Sequence, residues 1–314
     1  MLKQKSFEME FAGRKLSVEV GKLARQTNAS CIVRYGDTVI LATAVISKEA
    51  RSGIDFFPLQ VEVREKMYAA GKIKGSKFIK GEGRPTDNAV LAGRMIDRGI
   101  RPLFNQQMRN EVQLVLTTLS YDKENPFDTL SIVAGAIALH ISDIPWNGPL
   151  AGINVGRVDG NFIVNPTQEQ KNQSDLNLVV SVASGKVMMI DASGQEVSED
   201  DLSKSLKFAI SSAQPLLDFM ESIRSDVGLP KQDENKLIED SYVGLEVPIS
   251  EKKAVFEEAK KFFSSRLDQY LFNQPVGTKR ERKATAKVVL DEFIDQLKND
   301  NKHEEIIKYV KENF

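Results

Sequence analysis

Residues 56–104 read FFPLQVEVREKMYAAGKIKGSKFIKGEGRPTDNAVLAGRMIDRGIRPLF, and this stretch decides the fold. It opens with FFPLQVEVRE, whose alternating apolar and polar residues predict a β-strand. A segment rich in glycine and lysine follows and predicts a loop. Residues 87–98 then predict a helix, with Thr86 or Asp87 as its N-cap after an Arg-Pro pair. The succession of strand, loop and helix indicates a fold that packs helices against a sheet.

The same stretch concentrates the positive charge of the chain. Residues 64–101 carry a net charge of +6, whereas the 314-residue chain as a whole carries −1, so the remainder sums to −7. A positive patch on an acidic body is suited to a polyanion or a phosphate group. The charge pattern by itself leaves open which polyanion is bound.

The predicted helix has two chemically different faces. At 100° per residue its apolar side chains cluster on one side, and they are Ala89, Ala92, Ile96 and Ile100. Arg94 and Arg98 cluster on the opposite side, joined by Arg101 if the helix continues past Gly99. The arginines favour phosphate binding. The alternative is that they pair with a local acid such as Asp97 and form exposed ion pairs with no role in binding.

The loop before this helix combines lysines, glycines and one aromatic side chain. Lys72, Lys74, Lys77 and Lys80 can reach phosphates, and Phe78 can stack on a base. This combination suits single-stranded RNA that threads a pore. A solvated basic loop whose Phe78 packs on its own domain is an equally weighted alternative.

Composition and length limit the other possibilities. A chain of 314 residues predicts two or three domains, and no apolar run is long enough to span a membrane. The N-terminus lacks the apolar core of a signal peptide, which fits a cytoplasmic protein. A single cysteine, Cys31, excludes internal disulfides, and with two distant histidines a Cys/His zinc site is improbable.

The order of predicted elements indicates an α+β protein followed by an all-α piece. Strands dominate the first sixty residues, a second set of strands begins at Pro149, and a long helix starts at Ser198 and stops at Gly228. We expect two subdomains over 1–145 and 146–228, a linker over 229–250, and an all-α domain over 251–314 that is apparently truncated.

Several long motifs resemble one protein family. The opening stretch, together with SDIPWNGPLAGINVGRVDGNFIVNPT and SDLNLVV, closely resembles the first core domain of bacterial polynucleotide phosphorylases, over roughly residues 5–225 and more loosely over 240–314. That family is similar to ribonuclease PH. The resemblance implies a ribonuclease PH-like core, of the ribosomal protein S5 domain 2-like fold, followed by an all-α domain.

The resemblance also implies an activity and an assembly. Members of the family form a ring of three chains and degrade single-stranded RNA from the 3′ end, with inorganic phosphate as the attacking group and Mg²⁺ as a cofactor. Phe78, Ile79, Lys80 and Gly81 match the loop that constricts the central channel, where Gly81 replaces a basic residue and Lys77 compensates. The residues expected to bind RNA are Lys77, Phe78, Ile79, Lys80, Arg84, Arg94, Arg98 and Arg101.

In this family the catalytic residues belong to a second core domain. We compared the motifs of this chain's core with those of the family's second core. The catalytic Asp-x5-Asp-x-Lys constellation falls near Lys171, Asn177 and Val179, and the phosphate-binding serine pair falls on Phe127-Asp128. Both catalytic carboxylates are absent, and an aspartate repels phosphate. We therefore expect no catalytic residue, no metal ligand, and no bound Mg²⁺ or phosphate in this chain.

Two functional hypotheses follow. The first is the N-terminal half of a phosphorolytic exoribonuclease that acts in mRNA decay, most simply a fragment of a longer chain, which supplies RNA-channel contacts and trimer scaffold. The second is a non-catalytic RNA-binding scaffold that works with a separate catalytic subunit. Both imply single-stranded RNA, a homotrimer and RNA-degradation assembly partners, and neither implies a membrane.

Overall fold

The computed structural model describes residues 4–51, 54, 56–73, 75, 83–125, 127–241, 247–267, 270 and 277–313. The chain divides into two compact units. The core unit contains Met1–Ser52 and Phe56–Leu237, and the helical unit contains Gly53–Asp55 and Ile238–Phe314.

The first sheet of the core unit has six strands in the order β1-β2-β3-β4-β6-β5. Their bounds are β1 Lys5–Phe11, β2 Arg14–Val20, β3 Ala29–Tyr35, β4 Thr38–Ala50, β5 Leu59–Arg64 and β6 Asn110–Ser120. All neighbours are antiparallel except β5 and β6, which run parallel. A parallel pair requires a crossover, and the chain between β5 and β6 supplies it with a helix.

The second sheet has four antiparallel strands in the order β10-β9-β7-β8. Their bounds are β7 Ala151–Val158, β8 Asn161–Val164, β9 Leu176–Ala183 and β10 Lys186–Gly194. Asp159 and Gly160 both have positive φ angles, 49° and 78°, as a two-residue type I′ hairpin requires. An Asp-Gly turn therefore joins β7 to β8.

Four helices complete the core unit: α1 Asp87–Ile100, α2 Phe127–Ile141, α3 Gln168–Gln173 and α4 Glu199–Val227. Helix α2 is buried along almost its whole length and contacts β3 and β4 of one sheet and β7 of the other. Helix α1 contacts β5 and β10, and α4 contacts β7 and β9. Helix α2, which is rich in small apolar residues, thus forms the centre of the core.

The predicted boundaries of α4 agree with the structure. The side chain of Ser198 accepts a hydrogen bond from the backbone N–H of Asp201, and the helix ends before Gly228. The nearly continuous apolar run of β4 would suit a strand covered on both faces. In the structure Ile40, Ala42 and Ala44 are buried, but the alternate residues are only half-buried. Helix α2 covers one face of this strand, which explains the difference.

The helical unit has three main helices: α6 Ile249–Leu267, α7 Lys279–Asn299 and α8 Glu304–Asn313. Their shared core includes Val255, Phe263, Phe293 and Ile306. Among its described residues, none forms a strand, so the prediction of an all-α piece is confirmed. Thr278 and Glu281 form a capping box that fixes the start of α7.

The segment predicted as a linker, 229–250, contains order that the sequence did not predict. Helix α5 spans Glu234–Asp240, and α6 begins at Ile249. The backbone N–H of Leu229 donates to the carbonyl of Ile141, and that of Gln232 donates to the carbonyl of Asp143. These hydrogen bonds attach the segment to the end of α2. The polar composition of residues 229–250 therefore did not indicate an unstructured linker. The division at 145 and 146 stays a prediction.

Candidate nucleic-acid interface

Helix α1 forms the centre of the candidate interface, and its start is fixed by Thr86. The Thr86 hydroxyl accepts a hydrogen bond from the backbone N–H of Ala89 at 3.1 Å and donates one to Glu65 at 2.6 Å. An N-cap of this kind contributes about 1 kcal/mol to helix stability. The predicted N-cap is therefore correct, and it also joins the helix to the chain that follows β5.

The predicted apolar face of α1 lies against the first sheet. Its buried residues are Ala89, Ala92, Gly93, Ile96, Gly99 and Ile100. A Cβ atom on Gly93 would lie 3.3 Å from the carbonyl oxygen of Val61, so the small residue permits a close approach of helix and strand. This packing holds the opposite face of the helix toward solvent.

Arg94 and Arg98 lie on that outward face and are exposed. Within the part of the chain that the structure describes, neither has an ion-pair or hydrogen-bond partner. Arg84, just before the helix, is also exposed. The local-acid alternative fails for Arg98, because Asp97 is engaged by a different arginine.

Arg101 differs from the other arginines because it points into the protein. Its Nε lies 3.0 and 3.1 Å from the two carboxylate oxygens of Asp97, and its terminal nitrogens donate to the carbonyls of Phe57 and Leu59, both at 3.2 Å. It therefore fastens the end of α1 to the start of β5 and the residues just before it. The expected row of three outward arginines is a row of two, since Arg101 caps the helix and is only partly exposed.

An open cleft of about 1170 Å³ lies between β5, α1 and the turn over Met67–Ala70. Its charged lining residues are four cations, Arg64, Lys72, Arg84 and Arg94, and three acids, Glu62, Glu65 and Asp97. Arg64 pairs with Glu62 at 2.7 Å, so the unpaired positive charge comes from the other cations. Tyr68 and Ile73 also line the cleft, and 57% of Tyr68 and 93% of Ile73 are exposed. Positive charge beside exposed apolar side chains is the combination that single-stranded nucleic acids require.

Sequence reasoning missed Tyr68 as a candidate stacking residue. The available signal was the position of Tyr68, an aromatic side chain just before the loop rich in glycine and lysine. Gly71 ends the turn with a φ angle of 68°, and the residues before it present Tyr68 on the surface. The predicted loop residues Lys77, Phe78, Ile79 and Lys80, together with Gly81, lie outside the described residues.

A second polar cluster lies where the catalytic constellation was expected by resemblance. Asp128 at the start of α2 and Lys171 in α3 are within electrostatic reach of each other. Burial raises the pKa of Asp128, Lys171 opposes that shift, and Asp191 and Glu65 add to it. Burial likewise lowers the pKa of Lys171, and Asp128 opposes the change.

This cluster contains carboxylates that the sequence did not predict there. Asp191 lies on β10 opposite Val179 of β9, and the pairing brings it toward the site. The buried Oδ1 atom of Asn177 has no hydrogen-bond partner. Nevertheless, among the described residues no three Asp, Glu, His or Cys side chains are arranged to hold a metal ion. The ammonium group of Lys171 beside Asp128 also opposes a divalent cation, so these residues do not fit Mg²⁺.

Two sheets around a shared buried helix, with a second helix on the flank that exposes Arg94 and Arg98, define an α+β core of the ribonuclease PH type. The crystal structure of rice (Oryza sativa) Rrp46 has the same fold, with a TM-score of 0.54 and 15% identity over 71% of this chain and 96% of that one. The chain belongs to the 3′ exoribonuclease family: domain 1 of the family matches residues 12–145 and domain 2 matches residues 148–212.

Curated relatives agree with this assignment. The polyribonucleotide nucleotidyltransferase of Heliobacterium modesticaldum is 42% identical over 292 residues, which cover 93% of this chain and 39% of that protein. The protein of the same name from Enterococcus faecalis is 39% identical over 99% of this chain and 42% of its own length. The chain thus spans about two fifths of the length of these relatives, as the resemblance to the first part of the family predicted.

Proposed function

We propose that this chain is the N-terminal part of a phosphorolytic exoribonuclease that degrades single-stranded RNA from the 3′ end and releases nucleoside diphosphates. The observation that carries the proposal is the exposed, unpaired pair Arg94 and Arg98 beside an open cleft, on domain 1 of a 3′ exoribonuclease family member. The relatives named polyribonucleotide nucleotidyltransferase support the reaction class.

In this proposal the core unit guides RNA. Arg84, Arg94 and Arg98 contact phosphates, and Tyr68 stacks on a base at the edge of the cleft. A stacking contact of this kind is worth about 1–3 kcal/mol per base and tolerates any sequence. The loop residues Lys77–Lys80 are proposed to extend the same path as a channel constriction, and the role of Arg101 is to position α1.

Catalysis is assigned to a second core domain outside this sequence. That domain would bind Mg²⁺ and inorganic phosphate, whereas the cluster of Asp128 and Lys171 in this core binds neither. The buried ammonium and carboxylate groups neutralise each other in part, which leaves neither an anion site nor a cation site. This chain by itself is therefore proposed to be inactive.

The assembly is proposed to be a homotrimer in the cytoplasm, acting in mRNA decay with partners of an RNA-degrading assembly. Among the described residues, no helix is long and apolar enough to cross a membrane. The alternative function is a non-catalytic RNA-binding scaffold with a separate catalytic subunit. The cluster at Asp128 and Lys171 is compatible with both functions, because each assigns catalysis to residues outside this core.

Phosphate dependence tests the proposal. The chain joined to the second core domain of a relative should release nucleoside diphosphates from poly(A) only when inorganic phosphate is present. The chain by itself should release none. Thin-layer or liquid chromatography of the products separates diphosphates from monophosphates.

Three outcomes separate the alternatives. Release of monophosphates without phosphate would contradict the phosphorolytic reaction class. Diphosphate release by this chain alone would place the active site in this core and overturn the assignment of catalysis. RNA binding by the joined protein without any turnover would favour the scaffold.

A further inference from the structure

The side chain of Lys231, in the segment that follows α4, is fixed against the end of α2. Its amine nitrogen donates to the carbonyl oxygens of Leu139 and Ser142, both at 2.8 Å. Carbonyl groups at the C-terminal end of a helix have no partners within the helix, so they are available to such a donor. Leu139 and Ser142 are buried, whereas Lys231 is only half-buried. The amine is therefore held in one place and remains partly exposed to solvent.

The titratable groups around this amine come from both helices. His140 on α2 lies between two side chains of α4: its Nδ1 atom is 3.3 Å from Nη1 of Arg224, and its Nε2 atom is 2.8 Å from the carboxylate of Glu221. Burial and the neighbouring Arg224 lower the pKa of Lys231 to about 7, and Asp143 opposes this change. Near neutral pH a large fraction of Lys231 is therefore the uncharged amine.

The two hydrogen bonds orient the uncharged amine for nucleophilic attack. An uncharged amine has two N–H groups and one lone pair, and the carbonyls of Leu139 and Ser142 accept both N–H groups. The lone pair then points away from both acceptors. The same carbonyls stabilise the positive charge that develops on the nitrogen during attack. A partly desolvated lysine beside another cation is the arrangement that activates an amine as a nucleophile.

Arg224 supplies a contact for an anionic group beside the amine. Within the part of the chain that the structure describes, the side chain of Arg224 has one hydrogen bond, through Nη1, and no ion pair. A guanidinium group binds phosphate through paired N–H donors. The nearby carboxylate of Asp143 is already engaged, because it accepts hydrogen bonds from the side chains of Asn28 and Gln232, both at 2.8 Å. The free edge of the guanidinium group is therefore available to a phosphate.

We propose that Lys231 is an acylation site for small acyl phosphates. The lone pair of the amine attacks the carbonyl carbon of the acyl group, a bond forms between nitrogen and carbon, and the bond from that carbon to the phosphate oxygen breaks. Inorganic phosphate leaves with one proton of the amine, so the product is a neutral amide and no further reactant is needed. Arg224 holds the phosphate group during the attack. The inference goes beyond the proposed function, because it requires no RNA.

Acylation changes how the segment after α4 is held. The amide nitrogen keeps a single N–H group, so it can bond only one of the two carbonyls at the end of α2. Residues 229–232 are then attached less firmly, and they lead along the chain to the helical unit, which continues from Ile238. The site therefore makes the order of this segment depend on an acyl phosphate.

Mass spectrometry of the wild-type chain treated with acetyl phosphate tests the proposal. Lys236, an exposed lysine on α5, is the control within the same molecule. An ordinary lysine, with a pKa of about 10.4, is less than about 0.1% uncharged at neutral pH, so Lys231 should be acetylated at least about tenfold faster than Lys236. Excess inorganic phosphate should slow the reaction at Lys231 and leave Lys236 unchanged. Unfolding in urea should abolish the difference between the two lysines.

The variant R224Q tests the phosphate contact. In mildly alkaline buffer, where Lys231 is uncharged in the wild type, the acetylation rate of R224Q should no longer saturate with acetyl phosphate or respond to inorganic phosphate. R224K should retain part of both effects. The control R34Q removes an exposed arginine on β3 and should behave as the wild type. Hydrogen exchange of the acetylated wild type should be faster at the backbone amides of Leu229 and Gln232, which donate to the end of α2.

Four results would overturn the proposal. The first is an equal rate at Lys231 and Lys236 in the folded chain. The second is modification by acetyl-CoA as fast as by acetyl phosphate and insensitive to inorganic phosphate, which would indicate a reactive lysine without a phosphate contact. The third is unchanged saturation in R224Q. The fourth is a wild-type rate at Lys231 that inorganic phosphate does not slow, which decides the question even if R224Q does not fold. None of these results bears on RNA binding, so the proposed function would stand.

Discussion

His140, at the end of α2, is a buried histidine whose surroundings define its protonation. Its Nε2 atom lies 2.8 Å from a carboxylate oxygen of Glu221, and its Nδ1 atom lies 3.3 Å from a guanidinium nitrogen of Arg224. Because an arginine can only donate, Nδ1 accepts and Nε2 carries the proton that is donated to Glu221. A second proton on Nδ1 would face Arg224, with Lys231 also nearby.

These surroundings disfavour the charged ring. Burial lowers the pKa of His140 to about 4; the carboxylate of Glu221 opposes this change, whereas Arg224 and Lys231 contribute to it. In the unfolded chain the same histidine titrates near its ordinary value of about 6.5. The unfolded state therefore takes up a proton first as the pH falls, and the folded state loses stability between these two values.

We predict a measurable acid sensitivity from this one residue. From about pH 6.5 down to about pH 4, His140 should reduce the free energy of unfolding by up to about 1.4 kcal/mol per pH unit. Urea unfolding of the wild type and of H140Q at several pH values measures it, because the difference in stability between the two should shrink as the pH falls. H303Q, which removes an exposed histidine, is the control and should follow the wild type. A pH-independent difference between the wild type and H140Q would contradict the prediction.

At the scale of the element, α1 combines anchoring and presentation. Gly93 lets the helix approach β5 closely, and the apolar face determines which side chains remain outside. Arg101 closes the helix by joining Asp97 to two carbonyl groups at the start of β5 and just before it, those of Leu59 and Phe57. Arg98 and Arg101 are only one turn apart but have different roles. Arg98 lies on the exposed face of the helix, whereas Arg101 follows the last turn and anchors it.

Substitution by lysine distinguishes these roles. R101K should lower the free energy of unfolding by about 1–2 kcal/mol, because an ammonium group cannot reproduce the fork that reaches Asp97 and both carbonyls. R98K should change it by less than about 0.5 kcal/mol, as expected for an exposed residue without partners. Chemical denaturation of both variants measures the effect. Loss of stability in R98K rather than in R101K would show that the anchor was assigned to the wrong residue.

At the scale of the whole molecule, the trimer is the proposal with the clearest physical readout. The core unit exposes several large apolar side chains, among them Phe56, Leu91 and Ile73. Exposed apolar surface of this kind is common where chains associate or bind ligands. Ile73 lines the cleft between β5 and α1, but Phe56 and Leu91 do not.

We predict that this chain forms trimers in solution. Light scattering coupled to size exclusion should give the mass of three chains at micromolar concentration, and dilution should dissociate the assembly because its formation depends on concentration. Oligo(A) that contacts more than one chain should shift the equilibrium toward the trimer. A mass of one chain at every concentration, with and without oligo(A), would contradict the prediction.

Local signals predicted much of the fold. Thr86, Ser198 and Gly228 mark helix ends that depend only on nearby residues, and the Asp159-Gly160 turn depends on two residues with positive φ angles. Apolar periodicity also gave the buried face of α1. The half-buried face of β4 was not predicted, because the burial of a strand face depends on which elements, distant in sequence, pack against it.

The candidate site was predicted less completely. The charge of residues 64–101 and the exposure of Arg94 and Arg98 followed from spacing alone. The inward position of Arg101 did not, because it depends on carbonyl groups more than forty residues earlier in the chain. The approach of Asp191 to Asp128 could not be predicted either, since it depends on the register between β9 and β10.

The sequence by itself determined the class of this protein. Long family motifs, helix caps, hairpin turns and the basic stretch at 64–101 are local properties, and each remains visible without coordinates. The tertiary structure was needed to show which cations stay exposed and which are held within the fold. Arg101 is held by the carbonyls of Phe57 and Leu59, which come from a distant part of the chain and have no signature in local spacing.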